Sequence, residues 1–255
     1  MDLALPFFER RPAFRVHWPE GLGAVPETLP MIRLVLFDID GTLIHTSGAG
    51  EKAFARVFAN LFGISDGTEK LKFAGRTDVA ILREFFAHNA IEASPDNIEQ
   101  FFDAYVFMLE HMLQQSPGGA HPGVRTWLRE LRSLPHPPLI GLLTGNIRLG
   151  AEIKLRQFDL WNEFTIGAFA DDSAERNEIA AIAKRRGETL LGHPLRGEEV
   201  LVIGDTPLDI ACARAISAKV LAVGTGMYRS RDLQPLQPDW VVDNLEKLSA
   251  REICG

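Results

Sequence analysis

Hydrophobic and polar positions follow two different rhythms along this chain. From Met31 onward, solidly apolar runs of strand length recur at Ile32–Phe37, Leu139–Leu143, Phe164–Ala168, Val200–Ile203, Val220–Val223 and Trp240–Val242. Runs without polar alternation predict strands covered on both faces, as in a parallel sheet. Helical patterns fall between several of them, near Ile147–Phe158, Asn177–Arg186 and Leu208–Ile216. Strands alternating with helices in this way predict an α/β fold, a Rossmann-like parallel sheet flanked by helices.

Between about Ser47 and Ala120 the rhythm changes, and no convincing strand is found. Phe54, Val57, Phe58, Leu61 and Phe62 recur at helical spacing, as do Val79, Leu82, Phe85 and Phe86. A longer stripe runs through Ile98, Phe101, Phe102, Tyr105, Val106, Leu109, Met112 and Leu113. Ser94 is its expected N-cap with Pro95 at the first helical position, and Ser116-Pro117-Gly118-Gly119 ends it. Such stripes read as core packing and not as a cofactor box. An all-helical insert directly after the first strand predicts a lid over the strand ends. The expected division is therefore a core of residues 31–46 and 120–255, a helical cap of residues 47–119, and an irregular Pro- and Gly-rich extension over residues 1–30.

Composition narrows the functions open to this chain. Its 255 residues suffice for a full core, as one large domain or one domain with an insert. A formal charge of −7 leaves no basic excess for binding nucleic acid and disfavours an anionic membrane. No apolar run is long enough to span a bilayer, and charges and prolines occupy the N-terminus where an export signal needs its apolar stretch. Cys212 and Cys254 lack metal-ligand spacing, so a reducing cytoplasm is the expected location.

The candidate chemistry sits just after the predicted strands, at the edge where open parallel sheets bind ligands. Phe37-Asp38-Ile39-Asp40-Gly41-Thr42-Leu43 sends two carboxylates, two positions apart, off one strand on the same side. Such a pair repels itself unless a cation intervenes or one group is protonated, and an all-oxygen acidic site suits magnesium. Thr144-Gly145-Asn146 offers a hydroxyl and free backbone N–H groups before a helix, an oxyanion cradle that also reads as an ordinary turn. Gly204-Asp205-Thr206-Pro207-Leu208-Asp209 adds two further acids after a strand, although Asp205 also reads as an N-cap.

In this order, the segments resemble the haloacid dehalogenase superfamily, in particular its phosphoglycolate-phosphatase-like members with a helical cap. The resemblance covers about Ile32 to Val242. It implies that Asp38 is a nucleophile that forms an aspartyl phosphate, and that Asp40 acts as general acid and then base. Members that cleave carbon–halogen bonds lack an acid at the second position, so Asp40 points to phosphate chemistry. The resemblance further assigns Thr144, with Gly145 and Asn146, to the transferring phosphoryl group. It implies a Mg2+ site made by Asp38, Asp205 and the backbone carbonyl of Asp40, with Asp209 orienting metal-bound waters or a cationic side chain.

The family places a cation, usually Lys, near the start of the helix after the third core strand. Here no Lys stands in Ala168–Asn177, and Arg176 is the best-placed cation; Lys184, about two turns into the helix, is its competitor. Phe73-Ala74-Gly75-Arg76-Thr77-Asp78 resembles a cap loop in which Gly75 permits close approach and Arg76 grips a second polar or anionic group of the substrate. The same stretch reads as a helix start, capped by Thr77 or Asp78. His45 falls near the entrance, and no histidine is assigned to metal. The implied protein is a magnesium-dependent phosphatase acting on a small phosphorylated metabolite, as a monomer or weak homodimer. A sugar-phosphate mutase using the same nucleophile and a non-catalytic phosphate-binding module are the alternatives.

Overall fold

A computed structural model describes residues 31–66, 68 and 71–255. The extension assigned to residues 1–30 lies outside the described residues. The chain opens with β1 (Leu34–Phe37) and β2 (Ile44–His45), followed by α1 (Ala49–Phe62), α2 (Asp78–His88) and α3 (Pro95–Gln115). Then come β3 (Gly119–Ala120), α4 (Val124–Arg132), β4 (Leu139–Leu143), α5 (Arg148–Gln157), β5 (Ile166–Ala168) and α6 (Arg176–Leu191). The last elements are β6 (Val200–Gly204), α7 (Pro207–Ala215), β7 (Lys219–Val223), α8 (Ser230–Leu233), β8 (Trp240–Val242) and α9 (Ala250–Cys254).

Six strands form one parallel sheet in the order β5-β4-β1-β6-β7-β8. The chain winds outward from β1 in both directions, so β1 lies at the switch point where such sheets open a crevice. Register completes the arrangement. Phe37 pairs with Leu142 on one side and with Ile203 on the other. The residues that follow each strand, Asp38, Thr144 and Asp205, therefore leave the sheet along one edge.

Side chains alternate across the sheet into two cores. Val35, Phe37, Leu142 and Ile203 pack with Trp127 and Leu131 of α4, Leu155 of α5 and Ala250 of α9. Leu34, Leu36, Val202 and Ala222 pack with Ile179 and Ala183 of α6 and Ile210 and Ala213 of α7. Each large apolar side chain withdrawn from water contributes about 1.5–3 kcal/mol, which is what holds helices to both faces. Cys212 and Cys254 belong to opposite cores and are both free. Among the described residues, no helix is long and apolar enough to cross a membrane.

The stripes of α1, α2 and α3 meet in a third cluster around Phe54, Phe58, Phe85, Phe86, Phe101 and Tyr105, which Ile147 and Ala170 join from the sheet side. The long helix starts as its sequence dictates, with Ser94 Oγ accepting from Asn97 N at 3.2 Å and Pro95 in the first turn.

Several features differ from the sequence pattern. The stretch before Ala120 does hold a strand, for β3 pairs antiparallel with β2, Ile44 opposite Ala120 and His45 opposite Gly119. Two residues carry no readable period, and tertiary position alone creates this ribbon. β5 begins at Ile166 and not at Phe164, because Phe164 closes a short helical turn over Trp161–Glu163. Finally, α6 continues beyond Arg186 to Leu191, where Gly192 ends it in the left-handed conformation at φ 78°.

Candidate active site

Asp38 stands at the end of the central strand, its N–H still donating to Ile203 O at 2.9 Å, and it is 4% exposed. Asp40 leaves the same strand end but reaches outward, its side chain 42% exposed. The turn between them and β2 requires Gly41, which has φ +84° and faces the Asp205 carboxylate where any Cβ would lie. Asp205 itself accepts from Thr42 Oγ1 at 3.0 Å and is 2% exposed.

Asp205 does not cap the following helix. Thr206 is the N-cap of α7, with its hydroxyl accepting from Asp209 N at 3.3 Å. Asp209 completes the box, its Oδ2 accepting from Thr206 N at 2.9 Å and Thr206 Oγ1 at 2.7 Å. Its Oδ1 accepts from Arg176. Oxygen atoms of Asp38, Asp205 and Asp209 gather within 4.8 Å of one another. Both Asp209 oxygens already have donors, so the less committed carboxylates are those of Asp38 and Asp205.

Arg176 opens α6 and is 7% exposed. Its Nη2 donates to Asp38 Oδ1 at 2.9 Å and also to Asp209, while Nη1 donates to Gly75 O at 3.0 Å. Its Nε is buried without a partner, a donor directed at no atom of the described residues. Lys184 lies deeper in α6 and does not line the cleft. The acids of the preceding loop have structural work. Asp172 accepts from both Arg186 Nη atoms at 2.7 Å and from Phe169 N at 3.0 Å.

Thr144 is fully buried, and its hydroxyl oxygen accepts from Asn146 Nδ2 at 2.8 Å. Gly145 presses against the 73–78 loop: its carbonyl accepts from Asp78 N at 2.7 Å, and a Cβ there would collide with the Arg76 backbone. The loop is held to the sheet edge at further points. Asp78 Oδ2 accepts from Ile147 N at 2.8 Å, and Thr77 Oγ1 donates to Ala174 O at 2.8 Å. Gly75, at φ +72°, lies where a Cβ would be 2.5 Å from Thr206 Oγ1. Thr77 is the N-cap of α2, accepting from Ala80 N at 3.1 Å. The Arg76 guanidinium meets Glu84 at 2.5 Å, and Arg76 lines the cleft.

Several groups of this site carry no motif. Lys154, on α5 and 4% exposed, donates to Asp40 Oδ2 at 2.7 Å and to Asn146 Oδ1 at 2.6 Å. Asn146 Nδ2 donates to the same Asp40 oxygen at 2.8 Å. The signal was present in the helix period: Ala151, Lys154 and Leu155 share the buried face of α5. The hydroxyl of Tyr105, from α3, faces the same cleft. His45 and His121 flank its mouth with ring centroids 5.4 Å apart.

Electrostatics single out the floor. Burial raises the Asp38 carboxyl to about 7, against the lowering pull of Arg176 and with further raising by Asp209. Burial also lifts Asp205 well above the usual carboxylate range, helped by Asp209 and Asp38. For Lys154, burial works to lower the pKa, but attraction to Asp40 and Asp78 outweighs it and holds the ammonium above its ordinary value. Three buried carboxylates facing one guanidinium form a site short of positive charge. Its oxygen-only donors fit a hard divalent cation.

Asp38, Asp40, Asp205, Arg176 and Lys154 line a cleft of about 330 Å³ between the sheet edge and the three helices α1–α3. The family of haloacid dehalogenase-like hydrolases matches residues 35–223. A phosphoglycolate phosphatase from Pseudomonas fluorescens (strain Pf0-1) is 25% identical over 228 residues, covering 88% of this chain and 80% of that protein. A bifunctional riboflavin kinase/FMN phosphatase from Arabidopsis thaliana is 24% identical over 205 residues, 78% of this chain and 51% of that one. Among solved structures, CbbY from Rhodobacter sphaeroides in complex with phosphate aligns with a TM-score of 0.70 at 20% identity, covering 88% of this chain and 99% of that one.

Proposed function

The chain belongs to the haloacid dehalogenase-like hydrolases, and from that premise we propose that it is a magnesium-dependent phosphatase that cleaves small-molecule phosphate monoesters through an aspartyl phosphate on Asp38. The observation that carries the reading is the floor of the cleft: Asp38 lies buried against Arg176 and beside Asp205, with Asp40 at the mouth two residues on.

Carboxylates of Asp38 and Asp205 and the backbone carbonyl of Asp40 are the proposed ligands of Mg2+. The ion, when bound, supplies the positive charge that lets an anionic phosphate approach an anionic nucleophile. Asp38 attacks phosphorus as the bond to the leaving oxygen breaks. Asp40 gives that oxygen a proton, then takes one from the water that releases inorganic phosphate from Asp38. The Thr144 hydroxyl, the amides beside it and the unpartnered Nε of Arg176 are donors for the phosphoryl oxygens. Asp209 acts through Arg176, to which it is bonded. Positioning and charge stabilisation of this kind carry most of the catalysis in phosphoryl transfer.

Residues 47–119 serve as the lid and residues 31–46 and 120–255 as the core that does the chemistry. A lid pressed on the sheet edge keeps bulk water from the acyl phosphate and admits only small substrates. Relatives named for phosphoglycolate and for FMN show similar identity, so substrate choice rests with the lid residues and not with overall likeness.

The test is release of inorganic phosphate from p-nitrophenyl phosphate and a panel of phosphorylated metabolites with Mg2+ present. Asp38→Asn is expected to abolish turnover, a loss of about 10⁴-fold or more, with the melting temperature retained. Turnover by that variant near the wild-type rate would overturn the assignment, and isomerisation without phosphate release would make the protein a mutase.

A further inference from the structure

Lys154 has no part in the reaction as described, yet it lies at its centre. A lysine that is 96% withdrawn from solvent must gain something specific from its surroundings, because an ammonium is costly to desolvate. Here Nζ donates to Asp40 Oδ2 at 2.7 Å and to Asn146 Oδ1 at 2.6 Å. Asn146 closes the triangle, its Nδ2 donating to the same Asp40 Oδ2 at 2.8 Å and to Thr144 Oγ1 at 2.8 Å.

Two consequences follow from this triangle. Asp40 Oδ2 holds two donors, whereas no donor among the described residues reaches Oδ1. The carboxyl is thus fixed in one orientation, with Oδ1 left to act on the leaving group. The ammonium also lies close to α1, where a Cβ on Gly50 would be in van der Waals contact, 3.4 Å from Nζ and 3.6 Å from Tyr105 Oη.

We propose that Lys154 is a positioning residue which, with Asn146, clamps Asp40 so that Oδ1 hands its proton to the leaving oxygen. The inference rests on the phosphatase reading above. In the step concerned, the Asp38–phosphorus bond forms and the phosphorus–ester oxygen bond breaks. The electron pair stays on the ester oxygen, which receives the Asp40 proton. An activated ester such as p-nitrophenyl phosphate leaves as a stabilised phenolate and needs no such help; glycerol or propyl phosphate does.

The experiment compares kcat/KM, which reports the first irreversible step, across a series of aryl and alkyl phosphates with Mg2+ present. Lys154→Met is expected to lose about 10²-fold on alkyl esters and less than about 10-fold on p-nitrophenyl phosphate, steepening the dependence on leaving-group acidity. Lys154→Arg should fall between, and adding Lys154→Met to Asp40→Asn should cost little more on alkyl esters than Asp40→Asn alone. Equal losses on every ester would show a merely structural lysine and overturn the proposal. Should Lys154→Met not fold, the leaving-group dependence of Lys154→Gln and Lys154→Arg decides, and a wild-type slope in both overturns it. If the wild-type enzyme releases phosphate from no ester, the phosphatase reading itself falls and this inference with it.

Discussion

Arg176 touches three parts of the chain: Asp38 after β1, Asp209 in α7 and the Gly75 carbonyl in the loop before α2. Removing it would leave two buried carboxylates without their counter-charge, a change that costs about 3–5 kcal/mol at a buried pair. Arg176→Ala is therefore expected to lower the melting temperature and to reduce kcat/KM by about 10²-fold or more, whereas Lys184→Ala should stay within about threefold of wild type. Phosphate-release kinetics and thermal melts on both variants check this, and the reverse order would move the essential cation to Lys184. At this scale legibility followed sequence context. Asp38, Asp40, Thr144 and Asp205 stand in short segments directly after apolar strands, where a sheet edge exposes them. Lys154 stands between Ile153 and Leu155 inside a helix, where a lysine ordinarily reads as solvated surface. Its phase relative to Ala151 and Leu155 is the one local signal it carries, too weak to mark it as part of the site. Arg76 was readable as a charge beside a glycine, but its pairing with Glu84 depends on how α2 turns and has no local signal.

The start of α2 carries a pH-sensitive carboxyl. Asp78 is raised to about 7, chiefly by burial, with Lys154 and the Ile147 N–H pulling the other way. A carboxyl with a folded-state pKa above its unfolded value of 3.8 ionises more readily in the unfolded chain, so its contribution to folding falls as pH rises from about 4 to about 7. Asp78→Asn removes that dependence while its amide oxygen still accepts from Ile147 N. Relative to wild type, the variant should gain up to about 4 kcal/mol in urea-unfolding stability between pH 4 and pH 8. A difference that does not change with pH would contradict this account. Elements of this length were legible where period and cap agreed, as in α3 with Ser94 and Pro95. The β2–β3 ribbon was not, because two-residue strands owe their existence to a partner about 75 positions away and to no pattern of their own.

Across the whole molecule, the charge deficit at the sheet edge links ligand binding to folding. Asp38, Asp205 and Asp209 converge from two strand ends and one helix, so a cation bound among them favours the folded chain over the unfolded one. At Mg2+ concentrations of about 100 times Kd, that linkage amounts to roughly 2.7 kcal/mol, or on the order of 5 °C in melting temperature. Differential scanning fluorimetry with EDTA and then excess Mg2+ reads this directly, and Asp205→Asn should abolish the shift. An equal rise in that variant would place the ion elsewhere. The fold class followed from alternation alone, since buried parallel strands tolerate few polar residues. The seating of the helical insert did not, because Asp78 N to Gly145 O and Thr77 Oγ1 to Ala174 O join positions that share no period.

The ribbon of β2 and β3 has one more consequence. Ile44 and His45 lie against Ala120 and Gly119, so the chain departs for the helical insert and returns from it at a single place. A module with both its ends side by side is a cassette: it can be exchanged for another of different shape, or for a short turn, without re-threading the sheet. The acids at the sheet edge can thus be given a different cover by changing one contiguous stretch of the chain, while every strand that aims them stays where it is.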